Sequence, residues 1–519
     1  MFATNERIVH ISTMSADRKF RELIERARAE MPGLGAAMTD QLAGADRARR
    51  FCFSLDDLEV DFSRQTITTE GLDILLELAA CREIEAKRDE MFAGKIVNRT
   101  EMRPALHAHL RNPEEQMARK NVDAMAEICD RILALGVEDV VSIGIGGSDL
   151  GPAMVVQALL PFHQGPEIHF VSNIDPAHLG DVLCQLNADT TAVIAISKTF
   201  TTMETMANLK LARNWLKRGG GDPEKQIFAV TSNADAAVKN DIPLSSVLTM
   251  DEAIGGRFSL WSAVGIGIML AIGREGFVDM LAGAETMDRH FATAPVDSNL
   301  PLLAGLFRFW NTAVLGRPGQ AIIPYDQRLN RLPAWMQQLE MESNGKSRDQ
   351  DGNPVDMLTS PLLFGEPGSN AQHSFFQHLH QGSMITPVDL MAPRHPVSLM
   401  GEGDPVIEEQ HRLLLIQMLA QADALSLGRA EQGFDGGRPV TLLTWDETSP
   451  FSLGRLLAFY EHVTVVTGWM LGLNSFDQPG VELGKTIARN YQNYLEKGGD
   501  GGSIPFASRA FLDRFNTSD

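Results

Sequence analysis

Short apolar segments alternate with longer helical segments between residues 116 and 280, and this alternation constrains the fold more than any other feature of the chain. Each apolar segment is followed by glycine, serine, threonine or asparagine and then by a segment with helical periodicity. Because parallel strands need a crossover helix between them, the pattern predicts a parallel sheet with helices on both faces. The predicted strands of this unit are residues 139–143, 167–172, 191–197 and 226–231.

A second α/β unit is predicted between residues 300 and 490, where apolar segments again alternate with helical ones. Its predicted strands are residues 321–324, 383–389 and 440–445, and a long helix is predicted over residues 455–471. The first 115 residues have mostly helical periodicity. The predicted fold is therefore α/β, with a helical N-terminal segment (1–115), two doubly wound parallel-sheet domains (116–280 and 300–490) and a C-terminal tail (491–519).

The composition limits the partners and the compartment. The net charge of −21 argues against nucleic acid or an anionic membrane as the main partner. The four cysteines lie far apart in the sequence and form no CxxC pair, which is typical of a protein from a reducing compartment. The two most apolar stretches, residues 259–273 and 462–476, are shorter than the roughly 20 residues that a membrane span needs. A cytoplasmic protein with two buried apolar helices is expected.

The sequence VVSIGIGGSDLGP, residues 140–152, places a glycine turn between a predicted strand and a helix. A dinucleotide fingerprint needs G-x-G-x-x-G, but its third position here is Asp149. The segments EMESNGKS (340–347) and GVELGKT (480–486) also depart from the triphosphate-binding loop, in the identity or the spacing of the first glycine. The backbone N–H groups at the start of the helix favour a small anion, and a turn without a ligand is the alternative.

The segment AISKTFTTMETMANLK, residues 195–210, is a second strand, turn and helix. Four hydroxyl groups surround Lys198, on Ser197, Thr199, Thr201 and Thr202. Thr201 and Glu204 have the spacing of a capping box, which explains part of this composition. Hydroxyl groups together with a helix N-terminus suit a phosphate monoester. Because the carboxyl ends of parallel strands share one edge of a sheet, the two turns are expected to converge on one sugar phosphate.

Eight longer segments carry a resemblance to a known family. They are NRTEMRPALHAHLRN (98–112), IGIGGSDLGP (143–152), FVSNIDPAH (170–178), SKTFTTMET (197–205), GGRFSLWSAVG (255–265), MESNGK (341–346), GEPGSNAQHSFFQHLHQG (365–382) and FDQPGVELGK (476–485). In wording and order they resemble the phosphoglucose isomerase family over most of the chain. The resemblance implies two sugar-isomerase α/β domains with additional helical segments, arranged as a homodimer.

The same resemblance implies a reaction and a partner. The reaction is the reversible conversion of glucose 6-phosphate and fructose 6-phosphate, through ring opening and a cis-enediolate, in glycolysis and gluconeogenesis. The small-molecule partner is a sugar phosphate, and the family needs neither a metal nor a cofactor. The glycine turn would then bind a sugar phosphate rather than a nucleotide.

Four catalytic roles follow from the resemblance. Glu342 is the base that moves a proton between C2 and C1, and His373 is the acid and base that opens the ring. Lys485 assists at the ring oxygen and the C1 hydroxyl, and Arg257 stabilises the enediolate. His373 is expected to reach the site from the other subunit.

The resemblance also implies substrate contacts. The phosphate would be held by Gly147, Ser148, Ser197, Lys198, Thr199 and Thr202, with Lys198 and Gly147 acting through backbone groups, and the sugar by Gln338 and Gln478. Gln338 lies four residues before Glu342 and therefore shares its helix face. Glu340 should point elsewhere.

Other interpretations are open from the residues alone. Glu342 could be a solvated helix end and Lys485 a surface charge. The histidines at 373, 378 and 380 could hold a metal, although no HExxH motif or close carboxylate accompanies them. The alternative function is a non-catalytic sugar-phosphate sensor on the same fold, which the presence of Glu342, Arg257 and Lys485 disfavours. An isomerase that also accepts mannose 6-phosphate is a further alternative.

Overall fold

The computed structural model describes residues 18–30, 38, 41–42, 44–401, 403–497 and 504–515. Contacts divide the chain into two compact units, Met1–Phe476 and Asp477–Asp519, which are described separately. The described strands are β1 (Cys52–Leu55), β2 (Leu58–Arg64), β3 (Ile96–Asn98), β4 (Arg103–Pro104), β5 (Asp139–Ile143), β6 (Glu167–Val171), β7 (Thr191–Ile196), β8 (Ile227–Thr231), β9 (Val247–Thr249), β10 (Gly319–Pro324), β11 (Leu362–Phe364), β12 (Val388–Pro393) and β13 (Val440–Trp445).

Helices make up much of the described chain. The α-helices of the first unit are residues 18–29, Ala45–Phe51, Thr69–Cys81, Ile84–Phe92, Gln116–Leu133, Leu150–Ala158, Pro176–Leu183, Met203–Gly219, Pro223–Gln226, Ala234–Lys239, Ile266–Thr293, Leu300–Phe309, Leu332–Gln337, Gly368–Gln372, Phe376–Gln381, Pro405–Leu427 and Pro450–Met470. Two π-helical turns extend helices of this unit, at Trp310–Val314 and Gln338–Glu342. The second unit contains Glu482–Lys497 and Phe506–Phe515.

The first sheet has five parallel strands in the order β6-β5-β7-β8-β9. Its two faces belong to different cores: Val140 and Ile194 pack into one hydrophobic cluster, and their neighbours Val141 and Val193 pack into another. A strand that is buried on both faces needs a continuous apolar run, which is what the sequence shows. The predicted α/β class with parallel sheets is confirmed.

Three of the four strands predicted for this sheet end or begin one residue away from the prediction, and the predicted 139–143 matches β5.

The order of the strands in this sheet also indicates where a ligand would bind. The chain crosses from β6, on one side of β5, to β7 on the other, so the connections after β5 and β7 leave toward opposite faces. Ligands of open α/β sheets bind in the crevice at such a reversal, outside the carboxyl ends of the strands.

The second sheet has the order β1-β2-β13-β12-β10-β11. Strands β10 to β13 are parallel, whereas β2 pairs antiparallel with β13 and with β1. The prediction of residues 1–115 as a helical segment missed this hairpin. The sequence nevertheless contains the pattern of a half-buried strand at β2: Leu58, Val60 and Phe62 alternate with polar residues, and all three are buried. The tight turn uses Asp56 in the left-handed region, at φ 53°, instead of a glycine.

The predicted strand at 383–389 is wrong, because β12 runs over Val388–Pro393. Pro387 has no N–H to donate to a neighbouring strand. Its carbonyl oxygen accepts a hydrogen bond from the N–H of Ala321, next to the first residue of β12. The apolar residues after Pro387 then pair with β10 and β13. The strand prediction at 440–445 matches β13, and the one at 321–324 lies within β10.

The helical segment Ile266–Thr293, which is interrupted by a kink at Gly273, and the long helix Pro450–Met470 contact each other and form much of the larger core. They contain most of the two apolar stretches of the sequence, and nearly all residues of Pro450–Met470 are buried. Ser449 caps this second helix through a reciprocal bond with Ser452, so the helix begins earlier than the predicted 455. Of the helices that the structure describes, none combines the length and apolarity needed to cross a bilayer.

Candidate active site

The glycine turn lies at the carboxyl end of β5 and leads into the helix Leu150–Ala158. Gly146 has a φ of 63°, a backbone conformation that glycine adopts without strain. Gly147 packs against the backbone of the turn Gly256–Phe258, and a Cβ atom on it would overlap with the carbonyl oxygen of Gly256. The absence of a side chain at Gly147 therefore allows the two turns to touch, and it brings Arg257 to the glycine turn.

Replacing Gly147 by alanine is expected to lower the free energy of unfolding by about 1–3 kcal/mol, because the new methyl group must displace the backbone of Gly256. The matched control is Gly180→Ala, on the helix Pro176–Leu183, where a Cβ atom has no neighbour within 4 Å. Urea denaturation should find the control as stable as the parent or slightly more stable. Equal stabilities of the two variants would contradict the close contact at Gly147.

The second predicted turn follows β7, the neighbour of β5 in the sheet. The hydroxyls of Ser197 and Thr202 are 3.0 Å apart, and those of Thr199 and Thr201 are 2.8 Å apart. Phe200 between them is buried, with a φ of 55°. The predicted capping box of Thr201 and Glu204 is not formed, since Thr202 is the N-cap and makes no side-chain capping bond.

Lys198 turns its side chain away from these hydroxyls. Its ammonium group donates to the carbonyl oxygens of Glu252 (2.7 Å) and Ile254 (3.3 Å), in the segment that leads to Arg257. Burial lowers the pKa of Lys198 below its ordinary value. The lysine therefore ties the second turn to the segment before Arg257, and its backbone is the part that stays with the hydroxyl groups.

A guanidinium, a carboxylate and an amide meet next to the glycine turn. Nη1 of Arg257 lies 3.6 Å from Oε2 of Glu342, and Nε2 of Gln338 donates to the same oxygen at 3.0 Å. The Gln338 amide also lies against Gly146, since its Nε2 would be 3.0 Å from a Cβ atom there. The Arg257 side chain is 1% exposed and that of Glu342 is 19% exposed, so the carboxylate is the accessible member of the pair.

Local structure explains how these groups are presented. Gln338 and Glu342 are the first and last residues of the π-helical turn that extends the helix Leu332–Gln337, and π-helical turns occur often at functional sites. Oε1 of Gln338 is buried and has no hydrogen-bond partner in the described part of the chain. A ligand hydroxyl or a water molecule could donate to a buried acceptor of this kind.

Glu340 points into the core, as the sequence predicts. Its carboxylate accepts from Arg308 (2.9 Å), Thr464 (2.8 Å) and Asn344 (2.9 Å), and it is 1% exposed. The two glutamates of this turn thus have different surroundings, one enclosed by donors and the other open to the crevice.

His373 follows the short helix Gly368–Gln372 and is exposed. Its ring makes no hydrogen bond or ion pair with the residues that the structure describes, and it is not joined to Glu342 within this chain. Of the two nearby histidines, His380 bonds to Gln421 at 2.9 Å, which supports a packing role.

Gln478 and Lys485 belong to the second compact unit, Asp477–Asp519. Gln478 precedes a short turn at Pro479–Val481, and Lys485 lies in the first turns of the helix Glu482–Lys497; both side chains are exposed. The roles of both residues at the site are predictions from the resemblance.

Metal-binding geometry occurs elsewhere in the described chain. Asp139, Glu167 and His169 bring three ligand atoms within 4.8 Å of one another. Asp139 and Glu167 are the first residues of β5 and β6, at the edge opposite to the glycine turn, and His169, in the middle of β6, bonds to Asp139 at 2.8 Å. This group has no part in the crevice around Glu342.

Two contacts of Arg257 were not expected from the sequence. Its Nε donates to Oγ of Ser343 at 2.6 Å, and its Nη2 donates to the carbonyl oxygen of Ser475 at 2.5 Å. The only signal was that Ser343 lies inside the segment MESNGK next to Glu342.

The arrangement defines a possible chemistry. Glycine backbone groups and hydroxyls at the ends of two adjacent strands suit a phosphate group. An accessible carboxylate can move a proton on a neighbouring carbon, and a buried guanidinium beside it can stabilise the negative charge that results.

Comparison with known proteins finds matches over most of the chain. A model of the phosphoglucose isomerase family matches residues 61–505. A glucose-6-phosphate isomerase from Ruegeria pomeroyi is 43% identical over 485 residues, which cover 85% of this chain and 88% of the relative. One from Jannaschia sp. is 40% identical over 516 residues, 92% of this chain and 95% of the relative. A crystal structure of a glucose-6-phosphate isomerase from Chlamydia trachomatis superposes with a TM-score of 0.84 at 32% identity, covering 95% of this chain and 98% of the other.

Proposed function

The chain belongs to the phosphoglucose isomerase family and interconverts glucose 6-phosphate and fructose 6-phosphate, and we propose that Glu342, Arg257 and His373 carry out this reaction. The observation on which the proposal rests is the accessible Glu342 carboxylate, 3.6 Å from Nη1 of Arg257 and bonded to Gln338 beside the glycine turn. An aldose–ketose isomerisation needs a base, and a cation next to that base can stabilise the anionic intermediate.

The phosphate group binds first in this scheme. Backbone groups of Gly147 and Lys198 hold it together with hydroxyl groups, which belong to Ser148, Ser197, Thr199 and Thr202. The position of the two turns at the carboxyl ends of β5 and β7 supports this role. Binding the phosphate far from C1 and C2 fixes those carbons against Glu342.

Ring opening follows. His373 donates a proton to the ring oxygen, the bond between C1 and the ring oxygen breaks, and the C1 hydroxyl passes its proton to solvent, with Lys485 and Gln478 assisting; the imidazole takes up a proton from solvent again. An imidazole titrates near neutral pH and can therefore both give and take this proton. His373 is exposed and makes no bond to Glu342 within its own chain, which supports a role in the site of another chain.

Glu342 then removes the proton from C2 and returns it to C1. The electron pair left on C2 forms the double bond of the enediolate between C1 and C2, and the C1 carbonyl oxygen takes the negative charge, which faces Arg257. A proton then moves from the C2 hydroxyl to the C1 oxygen, so that C2 becomes the carbonyl carbon when C1 receives its proton. The buried Oε1 of Gln338 has no partner in the described chain and supplies an acceptor for a sugar hydroxyl. Glu342 ends each cycle as a carboxylate again, so the protons of the reaction balance without a cofactor.

The proposed assembly is a homodimer in which His373 enters the partner's site. Beside His373, the helix Pro405–Leu427 exposes the apolar side chains of Leu413, Ile416 and Leu419, each about half exposed. This helix contacts the segment of His373 through the bond from Ser369 to Gln417 at 3.3 Å. An exposed apolar face next to an unpaired catalytic histidine supports a protein interface there.

The activity itself is tested on the purified protein. Fructose 6-phosphate is supplied in the presence of EDTA, and glucose 6-phosphate is followed by a coupled assay that reduces NADP. We expect full activity with EDTA. Binding of sugar phosphate without turnover would instead favour the alternative of a non-catalytic sensor, which no present observation supports.

Heterodimers of Glu342→Gln and His373→Asn, isolated through a different tag on each chain, test the shared site. If His373 acts in the partner's site, each heterodimer has one intact site and should show about half of the parent activity, although both homodimeric variants are nearly inactive. Heterodimers as inactive as either variant would place His373 in the site of its own chain, and a monomeric active parent would contradict the dimer.

We also propose the cytoplasm as the location, with roles in glycolysis and gluconeogenesis. All four cysteines are free, and two of them are exposed, which is typical of proteins in a reducing compartment.

A further inference from the structure

The guanidinium group of Arg257 is fixed on two sides by serine residues. Its Nε donates to Oγ of Ser343 at 2.6 Å, and its Nη2 donates to the carbonyl oxygen of Ser475 at 2.5 Å. Nη1 is the nitrogen that lies toward Glu342, 3.6 Å from Oε2. The contacts with the two serines therefore fix the plane of the guanidinium group, and the edge that carries Nη1 faces the crevice.

The two serines are themselves held in place. Ser343 and Asn344 are completely buried and Ser475 is 1% exposed. Oγ of Ser475 donates to Oδ1 of Asn344 at 2.8 Å, and Nδ2 of Asn344 donates to Glu340 at 2.9 Å and to the carbonyl oxygen of Thr464 at 2.8 Å. Every polar atom of the Asn344 amide is thus used, which fixes the segment after Glu342 against the helix Pro450–Met470.

Ser343 is also the residue that follows Glu342 in the chain. One peptide unit therefore joins the carboxylate to the hydroxyl that orients the cation. Because an arginine side chain has many rotamers, a fixed hydroxyl at Nε removes the conformations in which Nη1 points elsewhere.

We propose that Ser343 is a positioning residue of the isomerisation, whose hydroxyl orients Arg257 so that Nη1 faces the enediolate formed next to Glu342. The proposal rests on the proposed function of this site. Ser343 touches the guanidinium and contributes to the reaction through it. Its contribution is therefore specific to the anionic intermediate, and the binding of uncharged parts of the substrate should not depend on it.

The experiment compares Ser343→Ala with Ser426→Ala. Ser426 is equally buried and also makes a short hydroxyl bond, to the carbonyl oxygen of Ala422 at 2.7 Å, in the helix Pro405–Leu427. Ser343→Ala should lower kcat roughly ten- to a hundredfold, the value of one hydrogen bond to a charged group, with KM changed by less than about threefold. Ser426→Ala should change the melting temperature but leave kcat as in the parent.

Two inhibitors separate positioning from a general loss of structure. Arabinonate 5-phosphate carries a carboxylate where the enediolate forms, and sorbitol 6-phosphate is an uncharged polyol at that position. Ser343→Ala should weaken binding of the arabinonate by the same factor as it lowers kcat/KM, and it should leave the affinity for sorbitol 6-phosphate unchanged. Equal weakening of both inhibitors would overturn the proposal.

A double-mutant cycle with Arg257→Lys gives the decisive readout. If Ser343 acts through the arginine, then Ser343→Ala should have almost no further effect on kcat once Arg257 is lysine. A full effect in that background would overturn the positioning role while leaving the proposed function intact. A parent protein without isomerase activity would overturn both, and the coupled assay on the parent distinguishes these cases.

Discussion

Replacing Glu342 by glutamine lowers kcat by about 10⁴-fold in our expectation, the upper range for loss of a positioned general base. Glutamine has nearly the same shape and can keep an acceptor for Nε2 of Gln338, which bonds to Glu342 at 3.0 Å. It has no basic oxygen that could take a proton from C1 of fructose 6-phosphate or from C2 of glucose 6-phosphate. The loss should therefore fall on kcat, whereas the KM for fructose 6-phosphate should change little.

Solvent exchange checks the assignment directly. In D₂O the parent should incorporate deuterium at C1 of fructose 6-phosphate and at C2 of glucose 6-phosphate, and Glu342→Gln should not. The affinity for sorbitol 6-phosphate should be unchanged, which shows that the site is intact. The control is Glu275→Gln, an exposed carboxylate on the helix Ile266–Thr293 that should behave as the parent. A Glu342→Gln protein within tenfold of parent activity would rule out this glutamate as the base.

Arg257→Lys is expected to lower kcat by about 10²–10³-fold, the range measured for removing one donor from a site that stabilises a developing oxyanion. Lysine keeps a positive charge but cannot reproduce the bonds from Nε to Ser343 and from Nη2 to Ser475. Its ammonium group would be free to move toward Glu342 and pair with the base. The charge near the enediolate would then be both displaced and partly neutralised.

Steady-state kinetics and the affinity for arabinonate 5-phosphate measure this effect, and both should fall by similar factors. Arg274→Lys is the matched control, because Arg274 is exposed and pairs with Asp123 on the surface at 2.5 Å. Surface pairs of this kind contribute little, so the control should keep parent kinetics and stability. Retention of kcat in Arg257→Lys would show that charge alone, without a fixed orientation, is sufficient.

Particular residues show how far the sequence alone could lead. The glycine turn, the hydroxyl-rich turn and the strands before them were predicted because each has a local signal: an apolar run, then residues that suit a turn. The pair of Gln338 and Glu342 follows from their helical spacing. These features need no knowledge of which distant segments meet.

The contacts that orient Arg257 depend on the meeting of three distant segments, at residues 257, 343 and 475, and no local pattern specifies that. The pairing of β2 with β13, near the other end of the first unit, also depends on distant segments. The hairpin β1–β2 itself has a local signal in the alternation of Leu58, Val60 and Phe62, which the prediction of a helical segment overlooked. The strand at 383–389 failed for a local reason, the missing N–H of Pro387. The proposed role of His373 in a partner's site involves a second chain, and no local pattern in the sequence specifies such a contact.

The pairing of β2 with β13 has a consequence for the order of events during synthesis. The five-stranded sheet is built from one continuous stretch, between Asp139 and Thr249, whereas the six-stranded sheet joins residues near 60 to residues near 443. At about 5–20 residues per second, β2 must wait roughly 20–75 s on the ribosome for its partner. During that time its hydrogen-bonding edge and its apolar face are open to other chains. Nascent or truncated chains that end before β13 are therefore the species in which aggregation should begin.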